Sequence, residues 1–499
     1  MLTINQLDEH LRKFNCMQGL REIGKLSNQL YSSGKFFDNL PIVINRFTYR
    51  QTISQWGLGF LAYRLIMVSN DGKRQLLDWP NLAKAHGIFG QLDEPITTDE
   101  EKVSFLLRMA QEQFWSQEFN MPIIWSRFIE IYKDNQFFST NFYDITGLTL
   151  DEYFKLGLVF SVLISTSEYP TINLKDMKQG NYPVKTEDIL TDEKLDRFLK
   201  LTSGTYVTIR NEARRVNNII LPKYEKHEFN PLVKYPLIIG DKKFPYYDSF
   251  QIAVPNIFLL LDRIARGVYW DMRSYFEIKG SNAYLKKFGE SFEEYCGKML
   301  SRYFGDNNVI RVNAIIGNAH NDKRHSDWVV TEDGNIYIFE CKSALIPIIA
   351  RRTFLPPTMS SWVRRNIEHA ITQLEITTND LIDKGFVGNK NVYKFILLLE
   401  ELYIADDPFI KQSIIGKHLS PSLTNYSDVH IISVYEMEKM EQAIKKLRFA
   451  NILAKKRELD KTHSGNFLVA CQSLDKEVAL TNSYLESKFQ DIISEWANQ

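Results

Sequence analysis

Three charged residues, Asp327, Glu340 and Lys342, stand where two apolar runs meet polar surroundings, in the stretch SDWVVTEDGNIYIFECKS. Asp327 opens the first run, Trp328-Val329-Val330. The second, Ile336-Tyr337-Ile338-Phe339, ends in Glu340-Cys341-Lys342. Side chains alternate faces along a strand, so Glu340 and Lys342, two apart, project from one face. Asp333-Gly334 and Gly334-Asn335 are tight-turn pairs, and a hairpin there sets Asp327 beside Glu340. Unpaired charge at the end of a buried strand is costly. A divalent cation is the simplest compensation. Two carboxylates are hard oxygen ligands suited to Mg²⁺, which keeps several waters, and a metal with a neighbouring ammonium can activate water against a phosphodiester.

The elements around these residues read as an α/β unit. Phe292, Tyr295, Cys296, Met299, Leu300 and Tyr303 recur at helical spacing. Residues 309–316 read as a strand, as do residues 395–399 and 430–434. From Trp362 to about Lys384 the pattern is helical, with Val363, Ile367, Ala370, Ile371, Leu374 and Leu381 on one stripe and Arg365, His369 and Gln373 on another.

Over residues 288–436 this arrangement resembles the PD-(D/E)XK, restriction-endonuclease-like nuclease superfamily: a mixed sheet flanked by helices, with Asp327, Glu340 and Lys342 at the signature positions. Ser326 stands where the family name has proline. The resemblance implies Mg²⁺, with Mn²⁺ able to substitute, held by Asp327, Glu340 and the backbone carbonyl of Cys341. It implies Lys342 as the group that positions water, and a 5′-phosphate product. The stretch Phe288-Gly289-Glu290-Ser291-Phe292-Glu293-Glu294 is similar to the family's first helix, whose metal-binding or metal-orienting glutamate maps onto Glu293, with Glu290 and Glu294 as alternatives. Gln373 matches the glutamine that many relatives place near the metal. The fourth residue after it is Thr377 rather than tyrosine, unlike the RecB-like branch.

Composition sets the frame. The chain has 499 residues, 44% hydrophobic and 13% aromatic, which suits globular domains rather than disorder. Its 61 basic and 61 acidic residues cancel, so it lacks the footprint of a general nucleic-acid coater. Locally, residues 342–366 hold five cations, Lys342, Arg351, Arg352, Arg364 and Arg365, and no acid. Those four arginines are the candidate phosphate-backbone contacts. Four cysteines, far apart and without zinc spacing, suit a reducing cytoplasm. Apolar runs are too short to span a bilayer. GLREIGK at residues 19–25 fits a phosphate-loop pattern, but Leu26 replaces the required Ser/Thr and no strand precedes it.

The expected organisation is therefore a mostly helical recognition or partner-binding region over residues 1–270 and a nuclease-like domain over residues 271–499. An apolar helix at residues 255–270 is expected to pack the two together. The expected activity is Mg²⁺-dependent endonucleolytic hydrolysis of DNA. An RNA endonuclease acting, for example, on tRNA, and a non-cleaving nucleic-acid-binding scaffold, are the alternatives. The N-terminal half joined to such a nuclease resembles bacterial phage-defence effectors, which implies a restraining partner protein, a trigger or self-association.

Overall fold

The computed structural model describes residues 2–44, 47–92, 96, 98, 101–102, 104–109, 120–133, 135–167, 170–177, 180, 185–218, 226–240, 251–317, 325–346, 356–399, 402, 406, 408, 411–416, 419, 425–462 and 466–498. The protein is mixed α/β, largely helical, with three small sheets among the described residues. Strands β1 (Phe37–Ile44) and β2 (Phe47–Ser54) form an antiparallel pair. The three-residue strands β3 (Thr171–Asn173), β4 (Ser203–Thr205), β5 (Leu237–Ile239) and β6 (Gln251–Ala253) form a second sheet in the order β3-β6-β5-β4. The N-terminal region is thus helical with two strand additions that hydrophobic periodicity did not signal.

The third sheet carries the charged residues. Strands β7 (Val309–Arg311), β8 (Trp328–Glu332), β9 (Asn335–Lys342), β10 (Asn391–Leu398) and β11 (Val429–Ser433) lie side by side in sequence order. β7, β8 and β9 are antiparallel neighbours; β9, β10 and β11 are parallel. The β8–β9 hairpin closes through Asp333 and Gly334, both with positive φ (46° and 78°), as a type I′ turn requires. The strand expected over residues 309–316 stops at Arg311. β8 offers partners only down to Trp328, so residues beyond Arg311 have no ladder to join and Val312–Ile316 turns helical.

Helices cover both faces. On one, Trp328, Val330, Tyr337, Phe339, Phe395 and Leu397 pack with the helix Ala283–Phe304. On the other, Val329, Ile336, Ile338, Ile396 and Leu398 pack with the helix His369–Asp383. The first helix approaches closely because residue 297 is glycine: a Cβ there would sit 2.1 Å from the Trp328 ring. The helical stretch expected from Trp362 arrives in pieces. Pro356–Val363 is followed by a π-turn at Arg364–Glu368, which then feeds the helix carrying Gln373. Such π-turns recur at functional sites.

The largest core crosses residue 270. It joins Ile123, Trp125 and Phe128, and Phe154 and Phe160, to Phe288, Phe292, Phe449, Phe489 and Trp496. A separate core holds residues from Ile4 to Leu92 with Tyr206, Ile209, Leu232 and Ile238. The apolar helix expected at residues 255–270 is Ile257–Ile278, and it serves both: Leu259 enters the second core, and Leu260, Leu261 and Ile264 the first. The division expected at residue 270 therefore does not separate the cores. Among the described residues no helix is long and apolar enough to cross a membrane. The glycine-rich stretch at residues 19–25 lies inside the helix Cys16–Ser32 rather than in a phosphate-binding loop.

Candidate active site

Strand alternation places the charged side chains together. Asp327 precedes β8 on the face of Val329; Glu340 and Lys342 share the face of Ile336 and Ile338. The Asp327 and Phe339 backbones are joined by the Asp327 N–H donating to the Phe339 carbonyl at 3.1 Å. The Cys341 N–H then donates to Asp327 Oδ2 at 2.7 Å, fixing that carboxylate across the strand ends. Lys342 Nζ reaches Glu340 Oε1 at 2.5 Å and Gln373 Oε1 at 2.8 Å. Gln373, from the neighbouring helix, also donates through Nε2 to the His325 carbonyl at 3.2 Å. Four of the expected residues thus form one cluster.

Its charge is only partly relieved. Glu340 is 2% exposed, and its Oε2 has no hydrogen-bond partner among the described residues. The buried Ser326 hydroxyl lies near enough to ease the Glu340 charge but makes no well-formed hydrogen bond among the described residues. Burial pushes the Glu340 carboxyl above its ordinary range, against the opposing pull of Lys342. Burial, then the charge of Glu340, pushes Asp327 well above its ordinary range. The neutral forms are favoured because two carboxylates crowd a poorly solvated place. Among the described residues, no group of three His, Cys, Asp or Glu side chains is arranged to hold a metal. Two carboxylates and a main-chain carbonyl nevertheless suit an ion that retains water. The Lys342 carbonyl accepts from Leu399 N–H toward β10. Carbonyls alternate along a strand, so that of Cys341 points the other way, to the Asp327 side. An orphaned, buried Oε2 beside a second carboxylate is the arrangement a divalent cation fits.

Glu293 lies at the margin. Its carboxylate is close enough to raise both Asp327 and Glu340, yet Oε1 is held by Arg311 Nη1 at 2.9 Å. Glu294 pairs with the same guanidinium, which sits 4.5 Å over the Trp328 ring. Glu290 pairs with Lys287 at 3.0 Å, so of the three glutamates Glu293 bears on the cluster. The Cys341 side chain takes the opposite face, against Cys296 and the main core.

The arginines fare unequally. Arg364 and Arg365 are exposed on the π-turn, where Arg365 Nη2 donates to the Ser361 hydroxyl at 2.7 Å. Arg351 and Arg352 lie outside the described residues. In the N-terminal region, Arg210 caps a helix end through the Ile66 and Ser69 carbonyls, and Arg215 pairs with Glu212 at 2.8 Å. Lys456, flanked in sequence by Lys455 and Arg457, is fully buried, 3.1 Å from Asp406.

Asp380, which the sequence did not single out, braces the cluster together with His325, Ser326 and Thr377. The Ser326 N–H donates to Thr377 Oγ1 at 2.7 Å, and His325 Nε2 meets Asp380 Oδ2 at 2.7 Å. Gln373, Thr377 and Asp380 lie at i, i+4 and i+7 on one helix and clamp the segment that leads into Asp327. That spacing was the available signal. No family model matches the chain, and neither does any curated protein or solved structure.

Proposed function

We propose that the chain is a metal-dependent nuclease of the PD-(D/E)XK, restriction-endonuclease-like kind, hydrolysing phosphodiester bonds of DNA. The observation that carries the reading is Lys342 Nζ shared between Glu340 and Gln373, beside a buried Glu340 oxygen without a hydrogen-bond partner among the described residues. The helix Ala283–Phe304, the antiparallel strands β7 to β9, the helix His369–Asp383 and the parallel strands β10 and β11 surround the cluster, an α/β setting that supports the reading.

Asp327, Glu340 and the Cys341 carbonyl would hold Mg²⁺ or Mn²⁺. A cation bound there lowers the pKa of a coordinated water and offsets charge on the scissile phosphate. Lys342 orients the attacking water and stabilises the negative charge that grows on phosphate oxygens. Gln373 holds the ammonium toward the site. Glu293 would orient further metal-bound water once released from Arg311. Water adds to phosphorus, the P–O3′ bond breaks, and the leaving oxygen takes a proton, giving 3′-hydroxyl and 5′-phosphate ends. Arg364 and Arg365 would track the backbone.

The test is incubation of the full chain with plasmid DNA and with transfer RNA, with Mg²⁺ or EDTA, beside Asp327→Asn. DNA cleavage that needs the metal and Asp327 supports the reading. Cleavage of RNA alone reassigns the substrate. Tight DNA binding without cleavage in Mg²⁺ or Mn²⁺ makes the fold a scaffold.

A further inference from the structure

Arg311 ends β7 beside the carboxylate cluster, and its place there is fixed from several sides. Its backbone lies opposite Trp328 across the β7–β8 ladder, and the next residue, Val312, donates its N–H to the Asp327 carbonyl at 3.1 Å. Its guanidinium lies 4.5 Å over the Trp328 ring, a favourable seat for a cation. The same indole donates through Nε1 to the Glu293 main-chain carbonyl at 3.0 Å, which pins the helix Ala283–Phe304 at that residue. The guanidinium then forks: Nη1 donates to Glu293 Oε1 at 2.9 Å, and Nη2 to Glu294 Oε2. One partner, Glu293, acts through space on Asp327 and Glu340. The other, Glu294, is the more exposed of the two.

We propose that Arg311 is a latch on the metal site: with no cation bound it holds Glu293 away from Asp327 and Glu340, and it yields Glu293 to a divalent cation while staying on Glu294 and Trp328. The proposal rests on the nuclease reading above, through the metal site at Asp327 and Glu340. Charge supplies the reason. Asp327, Glu340 and Glu293 face the single ammonium of Lys342, so acid is in surplus until a divalent cation or Arg311 answers it. Among the described residues no three His, Cys, Asp or Glu side chains converge on one point, as a latched Glu293 requires. The latch is also built to open. The Arg311 side chain is 45% exposed and that of Glu293 30%, and ion pairs in contact with solvent are weak. A dication attracts a carboxylate about twice as strongly as a single charge at equal distance. Glu294 eases the release, because the departing guanidinium keeps one carboxylate and the indole face.

The experiment titrates the full chain with Mn²⁺ and reads the free ion by electron paramagnetic resonance, so that no cleavage is needed. Arg311→Gln should bind Mn²⁺ about threefold more tightly than wild type, the scale of one exposed ion pair. Glu294→Gln should bind it about threefold more weakly, because the guanidinium is then left with Glu293 alone. Both effects should vanish in a Glu293→Gln background, where no carboxylate is left to latch. A charge acting on the site from a distance would still act there. Circular dichroism checks that each variant is folded. Should Arg311→Gln be unfolded, Glu294→Gln decides, and an unchanged affinity there overturns the latch. Wild-type binding that is absent, or that Asp327→Asn leaves unchanged, overturns the metal site and the latch with it. Binding that needs Asp327 but is equal or weaker in Arg311→Gln overturns the latch alone. So does a gain from Arg311→Gln that persists in the Glu293→Gln background.

Discussion

Lys342 Nζ lies 2.8 Å from Gln373 Oε1, across 31 residues of chain. The amide gives the ammonium a neutral acceptor, so Lys342 keeps its place without a further carboxylate competing for a metal. Gln373→Leu should therefore lower turnover about 10- to 100-fold, the range for losing one hydrogen bond to a charged group. Metal affinity should change little. Rates and Mg²⁺ titrations measured side by side decide this, and loss of metal binding equal to loss of rate would make Gln373 part of the metal site instead.

Asp327 and Glu340 crowd each other in a poorly solvated place, and both are pushed toward their neutral forms. An acid whose folded pKa is raised stabilises the fold as pH drops from that value toward its unfolded one, and above it the ionised form is a burden. Asp327→Asn should thus abolish cleavage yet raise the metal-free melting temperature near neutral pH. Mg²⁺ should reverse the order, stabilising the wild type by about 2.7 kcal/mol at a hundredfold excess over Kd and the variant hardly at all. Thermal melts with EDTA and with Mg²⁺ test both halves. A variant less stable than wild type in EDTA would show that the carboxylates are not strained.

Much of this cluster was legible because it is local. Two apolar runs, a turn pair and an E-x-K at a strand end fix which face Glu340 and Lys342 share, and the Asp333–Gly334 turn has the backbone that the sequence demanded. Gln373 was reachable through helical spacing. What sequence could not show depends on partners far along the chain. Lys456 looks like its solvated neighbours Lys455 and Arg457, and only the fold brings Asp406 to it. Strands β3 to β6 are three residues each, too short for alternation to register. Thr377 looked like a departure from a motif, whereas it holds the Ser326 backbone.

His86 offers a pH test outside the cluster. Its Nε2 accepts from the Ser54 N–H at 3.1 Å, and burial lowers its pKa to about 4. A base with a depressed folded pKa contributes stability that is complete above the unfolded value and lost as pH falls through the folded one. Between about pH 6.5 and pH 4 the fold should lose about 3 kcal/mol from this residue. Urea unfolding across that window should show the slope in wild type and a flatter one in His86→Gln. Equal slopes would place the acid sensitivity elsewhere.

Arg364 and Arg365 are exposed on the π-turn ahead of the Gln373 helix. Replacing both with glutamate should weaken DNA binding and reduce the slope of log K against log salt by about one unit for each phosphate no longer neutralised. Binding measured over a salt series in the Asp327→Asn background reads this directly. An unchanged slope would return the two arginines to the solvated surface.

Where the chain can be cut depends on Arg127. It binds Glu438 through Nε at 2.8 Å and Nη2 at 2.5 Å, with both side chains almost fully buried. Tyr295, two residues after Glu293, donates to the same carboxylate at 2.5 Å. A residue from the N-terminal half thus neutralises a charge inside the sheet's own core, and Ile123, Trp125 and Phe128 accompany it there. A fragment of residues 271–499 would keep Glu438 buried without its guanidinium and would expose the apolar surface those residues cover. Starting near residue 234 restores the helix Ile257–Ile278 but not Arg127, so that fragment should fail as well. In the full chain, Arg127→Met should cost about 3–5 kcal/mol, because breaking a buried pair strands the partner charge. The double change Arg127→Met with Glu438→Leu should recover much of that. Urea unfolding of the three full-length proteins, with solubility and circular dichroism of both fragments, provides the check. A well-folded fragment of residues 271–499 would mean that the shared core is a docking interface between two independent units, and Arg127 a contact across it.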